Sequence, residues 1–166
     1  MIAAVDVHYN ADGSAIVGAV EFKDYTDSEA NQTYTCQISG TEPYVPGQFY
    51  KRELPCLLAV LKIIEEEIDT VIIDGYVDPG EKPGLGRHLW DALVCKTEVI
   101  GVAKKYFRGS DAIRIYRGKS RQPLYITSAG IEPSQASNHI EQMHGKFRIP
   151  DLLRLADSLC RTGKSG

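Results

Sequence analysis

TVIID, residues 70–74, is a β-branched apolar run that ends in a carboxylate, and its reading decides the fold. No polar residue alternates within residues 71–73, so the run fits a central strand covered on both faces. Asp74 closes it at a place where a lone carboxylate is costly. An ionised group there needs a cation, a metal or several hydrogen bonds. Asp6 stands in the same situation within IAAVDVHY, residues 2–9, and Glu53 follows in FYKRELP, residues 49–55. Two or three carboxylates supply the hard oxygen ligands that Mg²⁺ requires when it also holds a phosphate. The three acids therefore point to metal-dependent phosphodiester chemistry.

Working outward, residues 1–9, 15–23 and 32–39 read as strands joined by short polar turns, an antiparallel meander. The period then changes. Leu54, Leu57, Leu58, Leu61, Ile64 and Ile68 recur at three- and four-residue steps, predicting an amphipathic helix with Pro55 in its first turn and Glu65, Glu66 and Glu67 facing water. After TVIID comes a Gly/Pro-rich loop, a helix over residues 85–95, the strand EVIGVAK, two further strands (AIRIYR and PLYIT), and helices over 134–144 and 150–160. A meander followed by parallel strands, with helices on both faces, is a mixed α/β sheet. Such a sheet resembles the ribonuclease H-like fold. In that arrangement the first strand lies beside the fourth, so Asp6 and Asp74 become neighbours, and Glu53 caps the same site from the start of the intervening helix.

At 166 residues the chain fits one domain, expected over residues 1–161 with a flexible tail at 162–166. Its four cysteines show no Cys-x-x-Cys spacing, which argues against a zinc site or a disulfide framework and for reduced thiols in the cytoplasm. No apolar run approaches a membrane span, no signal peptide is expected, and a monomer is the default. The net charge of −3 does not advertise a nucleic-acid binder, but its distribution does. Residues 104–121 hold seven cations (Lys104, Lys105, Arg108, Arg114, Arg117, Lys119 and Arg121) against Asp111 alone, a cluster able to follow a phosphate backbone. A solvated strand-and-turn surface explains the same charges equally well.

Seven segments together resemble the endonuclease V family, nucleases that nick strands containing deaminated adenine (inosine). They are IAAVDV, PYVPG at 43–47, the Arg52, Glu53 and Pro55 step, VIIDG at 71–75, IGVAKK at 100–105, PLYIT at 123–127 and FRIPDLLRLAD at 147–157. They occur in the family's order across residues 2–157. The resemblance implies that Asp6 and Asp74 hold a catalytic Mg²⁺, for which Mn²⁺ can substitute, and that Glu53 binds directly or through a coordinated water. It further implies a Lys104 that neutralises the scissile phosphate, an Asp157 near the metal, and cleavage one nucleotide 3′ to the lesion that leaves 3′-hydroxyl and 5′-phosphate ends. Tyr44 resembles the family's wedge, a ring that fills the gap left by a base turned out of the stack. Pro46, Gly47, Gly75, His88 and Lys105 fall at positions implied to meet the substrate, a DNA or RNA strand.

The chain departs from the family after Asp74. DGYVDPGEKPG replaces aspartate-glycine-histidine-glycine and the following histidine-proline, so Tyr76 and Val77 stand for a histidine and a glycine. The Val77 side chain is expected to crowd the approach of backbone amides to a flipped purine. The sequence opens on the first expected strand, and the family's N-terminal helical extension is not expected in it. His8, His139 and His144 carry no motif and are expected at the surface. Three readings follow: an inosine-directed endonuclease, a ribonuclease H-like nuclease of different selectivity, or a nucleic-acid-binding protein with impaired catalysis. Retention of all three acids and Lys104 favours the first two.

Overall fold

The structure, a computed structural model, describes residues 1–94 and 96–163. A seven-stranded sheet runs through its centre in the order β3-β2-β1-β4-β5-β7-β6. The strands are β1 (Ile2–Tyr9), β2 (Ala15–Phe22), β3 (Gln32–Ile38), β4 (Thr70–Asp74), β5 (Glu98–Ala103), β6 (Ile113–Ile115) and β7 (Leu124–Ala129). The first three form the expected meander. β1 then pairs in parallel with β4, and β4 with β5, while β7 returns antiparallel to β5.

Helices cover both faces: α1 (Phe49–Lys62) and α2 (Leu85–Ala92) on one, α3 (Pro133–Gln142) and α4 (Asp151–Thr162) on the other. Side chains alternate across the strands and build two cores. Val17, Val71, Ile73 and Val99 meet Leu57, Val60 and Leu89, whereas Phe22, Ile72, Ile100 and Ile126 meet Ile140 and Leu159. The fold class expected from the sequence is the one observed. No helix among the described residues is long and apolar enough to cross a membrane.

Several helix boundaries differ from expectation. Helix α1 starts at Phe49 and stops at Lys62, so Pro55 lies in its second turn rather than its first. The proline removes the amide that would bond the Lys51 carbonyl, and Lys51 is exposed, so water can serve that oxygen. Glu53 likewise sits one turn inside the helix instead of at its start. Beyond Lys62 the apolar spacing continues as a turn: Ile64 is buried in the α1 face while Glu65, Glu66 and Glu67 face water. The C-terminal helix runs to Thr162 and ends on Gly163 at φ 65°, a left-handed cap that favours glycine. Part of the expected tail, residues 164–166, and Cys95 at the expected end of α2 lie outside the described residues.

Helix α4 approaches the sheet closely because Gly18 of β2 lacks a side chain. A methyl there would stand 2.9 Å from the Ala156 carbonyl oxygen and 3.0 Å from Leu159 Cβ. Gly18→Ala should therefore destabilise the protein by about 1–3 kcal/mol, the usual cost of overpacking. Denaturant midpoints check this, and an unchanged midpoint would mean that α4 is not seated so close.

Candidate active site

The parallel strands β1, β4 and β5 end along one edge of the sheet, where an open α/β sheet presents its ligand site. The β1–β4 register runs from Ile2 opposite Thr70 to Val5 opposite Ile73, so one further step sets Asp6 beside Asp74. Both follow residues that point toward α4, Ala4 and Ile72, at the strand period of two. Two residues beyond Val102 on the same face of β5 comes Lys104, whose Nζ lies 3.1 Å from Asp74 Oδ2. Asp157 reaches the group from α4 and pairs with Arg161 at 2.8 Å. Asp6, Asp74, Lys104 and Asp157 line one cavity of about 820 Å³ between the sheet and α4.

Glu53 arrives from the opposite face on α1 and is buried at 7% exposure, with its Oε2 lacking any hydrogen-bond partner. Burial, and then the charges of Asp6 and Asp74, push its carboxyl up to about 8. Asp6 is pushed up to about 7 by burial and the charge of Asp74, against the opposing hydrogen bond from the Val7 N–H at 2.9 Å. One oxygen each of Asp6 and Asp157 and the sulfur of Cys160 lie within 4.8 Å of one another. Burial followed by the charges of Asp6 and Asp157 pushes that thiol up to about 12, so it stays protonated.

Other cations are partly engaged: Arg161 pairs with Asp157, and Arg52 lies over the Tyr9 ring at 3.6 Å while its charge still acts on Glu53. Lys104 is the cation that reaches Asp74. A crowd of hard oxygens with an orphaned buried oxygen among them fits a divalent metal. Asp6, Asp74 and Glu53 are the carboxylates that would hold it, with Asp157 beside them.

The remaining candidates divide. Residues 43–47 form an exposed turn into α1, with Gly47 at φ 78° and Tyr44 58% exposed, its ring edge-on to Phe49 at 6.2 Å. Pro46 and Lys105 are exposed as well. Gly75 follows Asp74 directly, and its N–H bonds the Val102 carbonyl. His88 is not brought to the cavity: it stacks on Tyr50 at 3.7 Å between α2 and α1. Of the histidines expected at the surface, His144 is exposed, but His139 is half-buried and stacks on Tyr25 at 4.2 Å.

Two expectations are overturned. The Val77 side chain does not crowd the site. It is buried among Ile73, Leu85 and Leu89, and the missing side chains of Gly86 and Gly101 leave room for its close approach. Arg117 does not belong to a solvent-facing basic cluster. It is 5% exposed and donates to the carbonyls of Met143, Gly145, Phe147 and Arg148.

Sequence reasoning missed two features. Tyr76 donates its hydroxyl proton to the Lys105 carbonyl at 2.6 Å and accepts from the Phe107 N–H at 3.0 Å, which ties the loop after Asp74 to the turn after Lys104. Arg148 donates to the carbonyls of Lys104 and Pro123. The signal for Tyr76 lay in a departure, an aromatic hydroxyl where the family has histidine, and that for Arg148 in an arginine inside the matching segment FRIPDLLRLAD.

A ribonuclease H-like sheet carrying carboxylates and a lysine at the ends of its parallel strands defines a nuclease, a hydrolase of nucleic-acid phosphodiesters. The sequence profile of Endonuclease V matches residues 1–125. Endonuclease V of Nostoc punctiforme is 31% identical over an alignment of 180 positions that takes in 95% of this chain and 80% of that protein. The structure of endonuclease V from Streptomyces avermitilis superposes with a TM-score of 0.79 at 25% identity, covering 98% of this chain and 80% of the other. The Ciona intestinalis endonuclease V, solved with a 24mer DNA containing an inosine followed by a ribo-adenosine, shares the fold at a TM-score of 0.82 and 16% identity, covering 98% and 84%. The chain belongs to the endonuclease V family, whose members are metal-dependent nucleases.

Raised carboxyls carry a sign. Asp6 and Glu53 start from ordinary values of 3.8 and 4.5, so the stability they contribute without metal is complete below those values. It is lost as pH rises through about 7 and 8, when both ionise in the folded site. A divalent cation binds the ionised forms, so Mg²⁺ or Mn²⁺ should raise Tm more at pH 8 than at pH 6. Scanning calorimetry at the two values checks this, and equal increments would place the metal elsewhere.

Proposed function

We propose that this protein is a Mg²⁺-dependent endonuclease that hydrolyses a phosphodiester 3′ to a deaminated base, inosine, in DNA or RNA. The products carry 3′-hydroxyl and 5′-phosphate ends. The observation that carries the reading is the convergence of Asp6, Asp74 and buried Glu53 beside Lys104, at one edge of the sheet. A bound divalent ion supplies Lewis-acid activation of water and neutralises charge on the phosphate. Asp6 and Asp74 serve as its principal ligands, and Glu53 ionises to complete the set.

Lys104 lies within reach of an oxygen that such an ion would also claim. Released from Asp74, its compact ammonium meets the scissile phosphate, where negative charge concentrates as the bond breaks. The hydrogen bonds from Tyr76 and Arg148 to the carbonyls of residues 105 and 104 hold it on station. Asp157 accepts from Arg161 and keeps a second acid facing Asp6. Tyr44, exposed between two prolines, has the freedom and the flat apolar face to enter a base stack. The protein acts as a monomer in the cytoplasm, where Cys36, Cys56 and Cys160 remain thiols.

A second reading, a nuclease of the same fold with a different base or RNA preference, has one observation in its favour. The N–H groups of Gly75 and Val77 are both engaged inside the fold, with the Val102 carbonyl and Thr127 Oγ1. Neither is free to read a flipped purine.

Single strands carrying inosine or adenine at one position, in deoxyribose and ribose form, separate the readings. With Mg²⁺ the protein should nick beside inosine; equal cutting of both strands favours the second reading, and binding without cutting in Mg²⁺ and Mn²⁺ discards catalysis. Asp74→Asn should abolish cutting while sparing or strengthening binding, since it removes a ligand and a charge that repels phosphate. Tyr44→Ala should weaken binding of the inosine strand by about 1–3 kcal/mol, the worth of one base stacked on an aromatic ring. Unchanged affinity would make Tyr44 a turn residue only.

A further inference from the structure

The cavity that holds Asp6 and Asp74 at one end extends well past them along α4, to a wall that no step above uses. That wall is built from Lys119, Lys146, Phe147, Ile149, Leu153 and Arg154. Phe147 is half exposed, and two cations flank its ring: Arg154 Cζ lies 5.0 Å and Lys146 Nζ 5.4 Å from the centroid. An aromatic ring left in water is ordinarily free to turn away, but the backbone of this one is fixed. Buried Arg117 donates to four carbonyls of the segment carrying it, including that of Phe147. Gly118 closes against the Lys146 carbonyl so tightly that a methyl group would not fit. Arg148, the next residue, donates to the carbonyl of Lys104. Phe147 and the lysine at the reacting centre therefore belong to one braced unit.

We propose that this part of the cavity binds an unstacked nucleobase of the strand beside the cleaved phosphate, with Phe147 as its stacking face and Lys119 and Lys146 on the adjoining phosphates. The inference rests on the nuclease reading and names a subsite for it. The room is sufficient, the floor is apolar, and the rim is cationic although the chain as a whole carries a net charge of −3. Magnitudes favour the base over the resident cations. An exposed cation–π contact is worth about 2- to 5-fold in an equilibrium constant, whereas a base stacked on an aromatic ring is worth about 5- to 150-fold. A base entering the pocket displaces one cation from the ring and leaves it beside the phosphates that the base brings. The buried charge of Arg117 is spent on preorganising this face, which lowers the ordering cost of binding.

The test measures binding of the intact protein to a labelled, unmodified single strand by fluorescence anisotropy, with Ca²⁺ replacing Mg²⁺ to prevent cutting. Phe147→Ala should raise Kd by about 5- to 100-fold. Lys119→Ala combined with Lys146→Ala should flatten the salt dependence by about 0.7 for each phosphate that is no longer neutralised. 2-Aminopurine moved along the strand should identify one position beside the cut whose emission differs between wild type and Phe147→Ala. Unchanged Kd, salt slope and emission would overturn the proposal, as would a polypeptide segment that fills the cavity without competing with the strand. If wild type shows no inosine preference yet Phe147→Ala still weakens binding, the base selectivity fails and the pocket stands. Nicking beside inosine with the same Kd and KM in both proteins fails the pocket alone.

Discussion

Crowding of acids at the end of β1 and β4 is the constraint on which the rest of the molecule depends. Two like charges about 4 Å apart repel by about 4 kcal/mol at the effective dielectric of a protein surface, and burial adds to that cost. The chain has accepted this at Asp6, Asp74 and Glu53 while supplying few compensating cations. Lys104 pairs with Asp74 and its charge also reaches Asp6, Arg52 acts on Glu53, and Asp157 brings its own partner in Arg161. Burial first, and then the neighbouring acidic charges, leave Asp6 and Glu53 holding their protons toward neutral pH. Such a cluster favours a divalent cation as the partner of its ionised forms.

Glycines make this geometry possible. Gly101 of β5 leaves room for the Gly75 carbonyl, the Val77 amide and the Thr127 hydroxyl, any of which a methyl at that position would strike. Gly86 does the same for Val77 on the α2 side. The loop after Asp74 is thereby pressed onto the sheet, and Val77 becomes a core residue instead of a pocket wall. Tyr76 then spends its hydroxyl on the turn after Lys104. Where relatives place histidine and glycine, this chain places a brace and a plug. The amides of Gly75 and Val77 are engaged inside the fold, and the loop is braced next to Lys104.

Much of this was legible in the sequence because burial writes itself into β-branched runs. TVIID and IAAVDV announced buried strands, and the ribonuclease H-like order of elements set them side by side, with Asp6 and Asp74 as neighbours. The start of α1 was hidden, since residues 43–50 mix proline, aromatic and polar side chains without a helical period. The direction of Val77 was hidden too, being set by close packing on glycines distant in sequence. Arg117 was the least legible. A cation among six others looks like surface, and only the carbonyls that converge from residues 143–148 show that its charge is turned inward.

That inward turn reorganises the electrostatics of the face. With Arg117 withdrawn, the basic character of the cavity comes from two segments far apart in sequence, residues 104–119 and 146–154, brought together by β7 and by the arginine itself. Asp6, Asp74 and Asp157 line this cavity together with Lys104, Lys119, Lys146, Arg148 and Arg154. A polyanionic strand is drawn to the flank and repelled at the centre unless a divalent ion lies there. On the proposed reading, binding and catalysis call for different occupants of one cavity, nucleic acid along its basic wall and metal among its acids. The backbone hydrogen bonds of Arg148 and Tyr76 keep the two in register.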